Sequence, residues 1–286
     1  MPPFRLDLTV AVLRRFSTNI VDVLAPDGRY VRALAGAPVP AIVSVRQVDA
    51  TQIAVSAQGL PGDEERAVAL ARRMLGTDRA SPGFDRAAAT IPWLGGLAAR
   101  MRGVKSPRYA TLWEACVNSV VYQQISLYAA GAILRRVILA LGAPIEHAGL
   151  LLHAFPTPAE FLAASDDALG TAGLTRNKMA TLQRVARRLL DGTLDEAMLE
   201  LRSTPEASAL LCEIKGIGPW TAAVILLRGI GRLDLFPEND SGVARNIKAL
   251  AGDDVDVADV LARLGDERGM LYYHLLLARL EALGEV

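Results

Sequence analysis

The chain has 286 residues, 51% of them hydrophobic, which is enough for two domains with cores of their own. Lys plus Arg equals Asp plus Glu at 31 each. That balance excludes a nucleic-acid binder that works through bulk positive charge, and leaves room only for a local grip on phosphate. Two cysteines, Cys116 and Cys212, exclude a disulfide framework, a cysteine zinc site and a four-cysteine iron–sulfur site.

The first sixty residues read as β. Residues 6–13 are rich in β-branched side chains with partial alternation, so a strand is expected there. Residues 20–24 and 30–34 flank Ala25-Pro26-Asp27-Gly28, a turn signal that predicts a hairpin. Residues 41–48 and 52–56 are two further strands, and 63–75 keeps helical spacing. From Gly76 to Arg108 the chain is punctuated by Gly and Pro, and the domain boundary is placed inside this stretch. The expected organisation is an α+β N-terminal domain over 1–90, an antiparallel sheet with one or two helices, then an all-helical domain over 91–286.

After Thr111 everything reads as helix. The apolar stripe over 112–141 is expected to break near 123–126. Thr157-Pro158-Ala159-Glu160 is a capping box with proline at the first helical position, and Ser165 and Thr175 are further N-caps. Helices over 241–250, 257–264 and 270–283 complete the chain. No run reaches membrane-spanning length, and MPPFRLDLTV lacks the charged-then-apolar layout of a signal peptide, so a cytoplasmic, unsecreted chain is expected.

Chemistry concentrates in residues 211–243, LCEIKGIGPWTAAVILLRGIGRLDLFPENDSGV. Leu210, Leu211 and Ile214 give one helix a buried stripe; Trp220, Ala223, Val224 and Leu227 give another. Gly216 and Gly218 permit positive φ between them, and Pro219 suits a first helical turn. Free N–H groups at such a turn suit a phosphate, although an ordinary helix–Gly–helix corner has the same look. Asp240 precedes a helix, where it could act as an N-cap, as a reactive carboxylate or as both. Glu238 and Asp234 are its rivals. Arg176, Lys178, Lys215, Arg245 and Lys248 are candidate phosphate contacts. His147, His153 and His274 have no metal-ligand spacing, and no metal site is assigned from side chains.

Ile-Lys-Gly-Ile-Gly-Pro-Trp-Thr-Ala followed by Phe236-Pro237-Glu238-Asn239-Asp240 resembles the helix-hairpin-helix and Pro-x-x-Asp loop of the HhH-GPD superfamily of DNA base-excision glycosylases. Thr111-Leu112-Trp113-Glu114-Ala115 and Gln123-Gln124-Ile125-Ser126 resemble the helix and wedge loop of its alkyl-base branch, the 3-methyladenine DNA glycosylase II type, as do Phe155-Pro156-Thr157-Pro158 and 173–178. The resemblance covers roughly residues 105–286, and the β-rich leading domain is similar to that branch's extra domain. It implies that Asp240 is catalytic and that Lys215, Gly216, Gly218 and Thr221 hold DNA, with Gln124 and Ile125 as the wedge. The base pocket would take Trp220, Tyr122, Trp113 and Tyr272. Trp220 stands where the lyase branches carry a Schiff-base lysine, which implies a monofunctional enzyme that leaves an uncut abasic site. The implied partner is duplex DNA with damaged bases, met by a monomer. No cofactor is implied beyond a monovalent cation at the hairpin backbone.

A carboxylate beside the anomeric carbon stabilises the oxocarbenium-like sugar formed as the base departs. One acidic group with no evident general acid suits N-alkylated purines of the 3-methyladenine and 7-methylguanine type, which already carry positive charge and would stack on aromatic faces after flipping. Val224 and Ala278 stand where the branch has further pocket aromatics. Uracil, hypoxanthine or an oxidised purine is therefore the alternative substrate, and a non-catalytic DNA-structure binder the alternative class.

Overall fold

The computed structural model describes residues 3–35, 41–59, 64–79, 81–142 and 144–286. The chain enters as helix α1 (Leu6–Arg14) and then forms β1 (Asp22–Leu24), β2 (Tyr30–Leu34), β3 (Ala41–Gln47) and β4 (Ile53–Gln58). These four strands make one antiparallel sheet in the order β1-β2-β3-β4, with Val23 opposite Val31, Val31 opposite Ser44 and Val45 opposite Val55. Helices α2 (Glu64–Met74), α3 (Phe84–Ala89) and α4 (Pro92–Arg100) follow. The expected helix start at Asp63 lies outside the described residues.

The strand expected over 6–13 is corrected to helix α1. Leu6, Leu8, Thr9, Val10, Ala11, Val12 and Leu13 are all buried. With only Asp7 exposed the segment has almost no polar face, so periodicity cannot separate strand from helix. The Gly- and Pro-punctuated stretch from Gly76 to Arg108 likewise contains α3 and α4, with Pro92 at the first turn of the second.

The second part is helical, as read. Helix α5 (Leu112–Val121) starts at the Thr111 cap and stops before 123–126, and α6 (Leu127–Leu141) restarts at the Ser126 cap. The helical reading of everything after Thr111 is corrected at one hairpin, β5 (Pro144–His147) with β6 (Leu150–His153). Its turn is Ala148-Gly149, both at positive φ, and Leu152 packs into a small cluster with Val31, Ala33 and Ile42 of the main sheet. Helices α7 (Pro158–Ala163), α8 (Asp166–Thr171) and α9 (Arg176–Leu190) begin at the Thr157 capping box, Ser165 and Thr175. Then come α10 (Glu196–Glu200), α11 (Thr204–Cys212), α12 (Pro219–Ile225), a π-helical turn at Leu226–Ile230, α13 (Ser241–Ala251), α14 (Val257–Leu264) and α15 (Gly269–Ala282).

Two large apolar clusters hold these elements. One joins Val43 and Val45 of the sheet to α5, α9, α11 and α12. The other joins Leu8 and Val12 of α1, Phe84 and Leu94 to Leu271 and Leu275 of α15. Both take side chains from either side of residue 90. A buried charge network adds a polar tie between sheet and helix. Arg32 on β2 pairs with Asp22 at 2.6 Å and with Glu114 on α5, and the Tyr30 hydroxyl donates to Asp22 at 2.7 Å. Each buried carboxylate thereby has a guanidinium partner, the contact that makes its burial tolerable. Helix α15 also buries His274 against the Phe84 ring at 4.5 Å between centroids, and burial lowers its pKa to about 4.

Candidate active site

The hairpin between α11 and α12 is built around one forced glycine. Gly216 has φ +104, and a Cβ there would lie 1.9 Å from Thr181 Oγ1 on α9. No other residue fits that position without displacing α9. Gly218 differs. Its φ is −101 and ψ 179, so the positive φ expected for both glycines is found at Gly216 alone. A Cβ at Gly218 would meet nothing within 4 Å, and what this glycine keeps clear is approach from outside the protein. Pro219 occupies the first turn of α12, which no side chain caps. Its first N–H groups are therefore open to an external acceptor.

Asp240 caps α13. Its Oδ1 accepts from the Gly242 N–H at 2.8 Å and the Val243 N–H at 3.0 Å. A Cβ at Gly242 would sit 3.1 Å from that oxygen, so glycine lets the carboxylate seat closely. Oδ2 accepts from Trp220 Nε1 at 3.0 Å. Three donors on two oxygens fix the plane of the carboxylate. Asp240 and Trp220 are both half-buried, and the strand of chain before the cap turns through Asn239 at φ +60. The expected rivals are elsewhere: Asp234 accepts from the Thr204 hydroxyl at 2.6 Å, and Glu238 is exposed.

The loop between α5 and α6 is fastened to the hairpin. Gln123 Nε2 donates to Thr221 Oγ1 at 2.7 Å and to the Gly216 carbonyl at 3.0 Å. Lys178 Nζ donates to the carbonyls of Val121 and Gln123 at 2.8 and 3.0 Å. The sequence singles out both residues, Gln123 in the wedge-loop motif and Lys178 as a candidate phosphate contact, but not this bracing role, because each works on a partner more than 50 positions away. Gln124 stands at the tip of the loop in the left-handed region, φ +57, and both it and Ile125 are exposed. That is the geometry of a projecting pair held by a braced loop.

Several expected roles move. Thr221 is buried and spent on Gln123, so its side chain positions the loop and is not available to DNA. Trp113 is core: it is buried, its Nε1 donates to the Pro156 carbonyl at 2.8 Å, and its ring meets Phe161 edge-on. Lys178 braces the loop, and Lys248 pairs with Asp253 at 2.6 Å. Lys215 and Arg176 are exposed. The Lys215 carbonyl accepts from Arg184 Nη1 at 3.1 Å, and lies 3.3 Å from the Thr181 hydroxyl, which donates to the Asn177 carbonyl at 2.8 Å.

Tyr122 and Tyr272 remain half-buried, but neither face is simply open. The Arg15 guanidinium, from the end of α1, lies 3.7 Å from the centroid of the Tyr122 ring. Tyr272 on α15 meets Tyr273 edge-on at 6.0 Å. Val224 and Leu277 are buried, and Ala278 is half-buried. Both cysteines are free thiols, and burial pushes that of Cys116 up to about 12. Among the described residues no His, Cys, Asp and Glu side chains group to hold a metal ion, and no helix is long and apolar enough to cross a membrane.

Residues 117–266 match the family model described as HhH-GPD superfamily base excision DNA repair protein. The chain is 32% identical over 186 residues to the probable bifunctional transcriptional activator/DNA repair enzyme AlkA of Mycobacterium tuberculosis, covering 64% of this chain and 36% of that protein. It is 30% identical over 147 residues to DNA-3-methyladenine glycosylase 2 of Escherichia coli, covering 51% of each. The chain thus spans about a third to a half of the length of these curated relatives. In fold it is similar to a solved 3-methyladenine DNA-glycosylase from Archaeoglobus fulgidus, with a TM-score of 0.82 over 99% of this chain and 97% of that one at 24% identity.

Proposed function

We propose, from the premise that this chain belongs to the HhH-GPD superfamily of base excision DNA repair proteins, that it is a monofunctional DNA glycosylase. It hydrolyses the N-glycosidic bond of alkylated purines in duplex DNA and leaves an abasic site. The observation that carries this reading is the Asp240 carboxylate, held by two backbone N–H groups and by Trp220 Nε1 beside the hairpin.

The hairpin binds a phosphate through the N–H groups around Gly218 and Pro219, where the missing Cβ leaves room for close approach. Gln124 and Ile125 enter the stack, and the target nucleotide leaves it. Asp240 then faces the anomeric carbon. As the bond to the base breaks, its electron pair leaves with the base and positive charge grows on the sugar. The fixed carboxylate stabilises that charge and orients the water that adds to the anomeric carbon, taking up the water's proton. Trp220 has no amine, so no Schiff base forms and the strand stays intact. A monovalent cation would be held by backbone carbonyls of the hairpin, and no step runs through it. The enzyme acts as a monomer in the cytoplasm, which suits its two free thiols.

The test uses a duplex with a single 7-methylguanine, incubated with enzyme and then heated in alkali to reveal abasic sites. Wild type yields cleaved strand after alkali, and Asp240→Asn yields none above background. Equal yields from the two proteins would overturn the reading.

A further inference from the structure

We propose that Gln123 is a positioning residue that couples the grip on phosphate to the displacement of the base. Its amide ties the loop carrying Gln124 and Ile125 to the hairpin between α11 and α12. The inference rests on the glycosylase reading above and names the residue through which two of its DNA contacts act together.

The loop does not hold its shape by itself. Helix α5 ends at Val121, and Gln124 stands at φ +57, a conformation that residues with a Cβ rarely adopt. A backbone of this kind persists only where its surroundings over-determine it. Gln123 supplies one tie. Its side-chain amide has two N–H donors and spends both on the hairpin, on Thr221 Oγ1 at 2.7 Å and the Gly216 carbonyl at 3.0 Å. One acceptor lies in the hairpin turn and the other in the first turn of α12. Lys178 supplies the second tie, from α9 to the carbonyls of Val121 and Gln123. Val121 closes α5, so the ammonium also meets the negative end of that helix.

The third tie runs between α9 and the hairpin. Thr181 is the residue against which Gly216 is packed too closely for a Cβ. Lys178 and Thr181 are three positions apart on α9 and so share one face of it. Loop, hairpin and α9 therefore close a triangle: Lys178 to the loop, Gln123 from the loop to the hairpin, Gly216 back onto Thr181. The exposed pair at its tip, Gln124 and Ile125, cannot shift against the hairpin without breaking one of these contacts. A hairpin seated on a phosphate thereby sets where the pair meets the stack.

A contact that only held the fold would lower stability and every activity together. A coupling contact acts more narrowly. Duplex affinity comes from phosphate contacts and survives its loss, whereas opening of the stack does not.

The test uses a duplex with one 7-methylguanine next to 2-aminopurine, whose fluorescence rises as the stack opens. Wild type should give the rise and then excision. Gln123→Ala should lower the rise and slow single-turnover excision by about tenfold, the size of a coupling between groups in contact. Duplex Kd should stay within about threefold of wild type. Gln123→Glu keeps the side-chain length, lacks the donors and should show the same loss. In a Gln124→Ala/Ile125→Ala background, Gln123→Ala should cost less than about twofold, because it acts through that pair. Lys178→Met should follow Gln123→Ala and leave the salt dependence of duplex binding unchanged. A log–log salt slope shallower by about one would make Lys178 a phosphate contact and overturn its part in the brace. A full tenfold loss in the double-alanine background, or a loss of duplex affinity equal to the loss of excision, would overturn the coupling and leave the Asp240 chemistry intact. Should wild type excise nothing, the glycosylase reading fails and the fluorescence decides alone. A rise that Gln123→Ala lowers keeps the coupling; an equal rise, or none from wild type, ends it.

Discussion

At the Asp240 end of the site every polar group that matters is engaged: both carboxylate oxygens, the Trp220 indole and the Gln123 amide. At the Arg15 end the reverse holds, with two guanidinium nitrogens of Arg15, two of Arg228 and the Tyr109 hydroxyl left without partners. A satisfied, rigid end suits a step common to all substrates, since its geometry is fixed before any ligand arrives. The engaged end is the one the proposed reaction uses, and the other is a buried cluster whose cavity is lined by neither Asp240 nor Trp220.

The largest effect that tests this division is at the common end. Asp240→Asn keeps an oxygen for the cap but loses the charge, and excision of every lesion should fall by about 10³-fold or more; single-turnover rates within tenfold of wild type on any lesion would break the comparison. Helix α15, which carries Tyr272, offers a pH handle on the other end. His274 on that helix takes a proton in the folded state only near pH 4, against about 6.5 unfolded. The unfolded state binds more protons through that window, so stability falls as pH drops from about 6.5 towards 4, by about 3 kcal/mol in total. Urea midpoints for wild type and His274→Gln at pH 7 and 4.5 isolate this contribution; identical pH slopes would contradict it. Trp220→Phe removes one charge-assisted donor and keeps an aromatic face. It should lower kcat on all lesions by about 10-fold to 100-fold with little change in KM; an effect confined to KM would make Trp220 a stacking residue only. Smallest is Gln124→Ala, which should weaken duplex excision and leave the melting temperature in place; unchanged kinetics would remove Gln124 from the wedge.

What could be read in advance follows the same division. The hairpin, the break over 123–126, the caps at Thr157, Ser165 and Thr175 and the position of Asp240 are local patterns, each decided by residues within a few positions of one another. The strands after residue 20 were also legible, since their turns are marked by Pro, Asp and Gly. Helix α1 was not, because burial of nearly all its side chains erased its period. Nor was the β5–β6 hairpin, whose two four-residue strands depend on packing Leu152 against a sheet more than a hundred positions earlier. Trp113 looked like a pocket aromatic because sequence does not say which face of α5 is covered. Lys178 and Gln123 were singled out, but their bracing contacts stayed hidden because each acts on a distant part of the chain. A brace built from long-range contacts leaves no local motif.

The most direct measurement is product analysis on an end-labelled duplex carrying one 7-methylguanine, treated with enzyme and divided between neutral buffer, alkali and borohydride. The account predicts intact strand in neutral buffer, cleavage at the lesion after alkali, no covalent protein–DNA adduct with borohydride, and, from Asp240→Asn, no alkali cleavage above that of a no-enzyme control. Strand cleavage in neutral buffer, or a trapped adduct, would contradict a hydrolytic mechanism centred on Asp240.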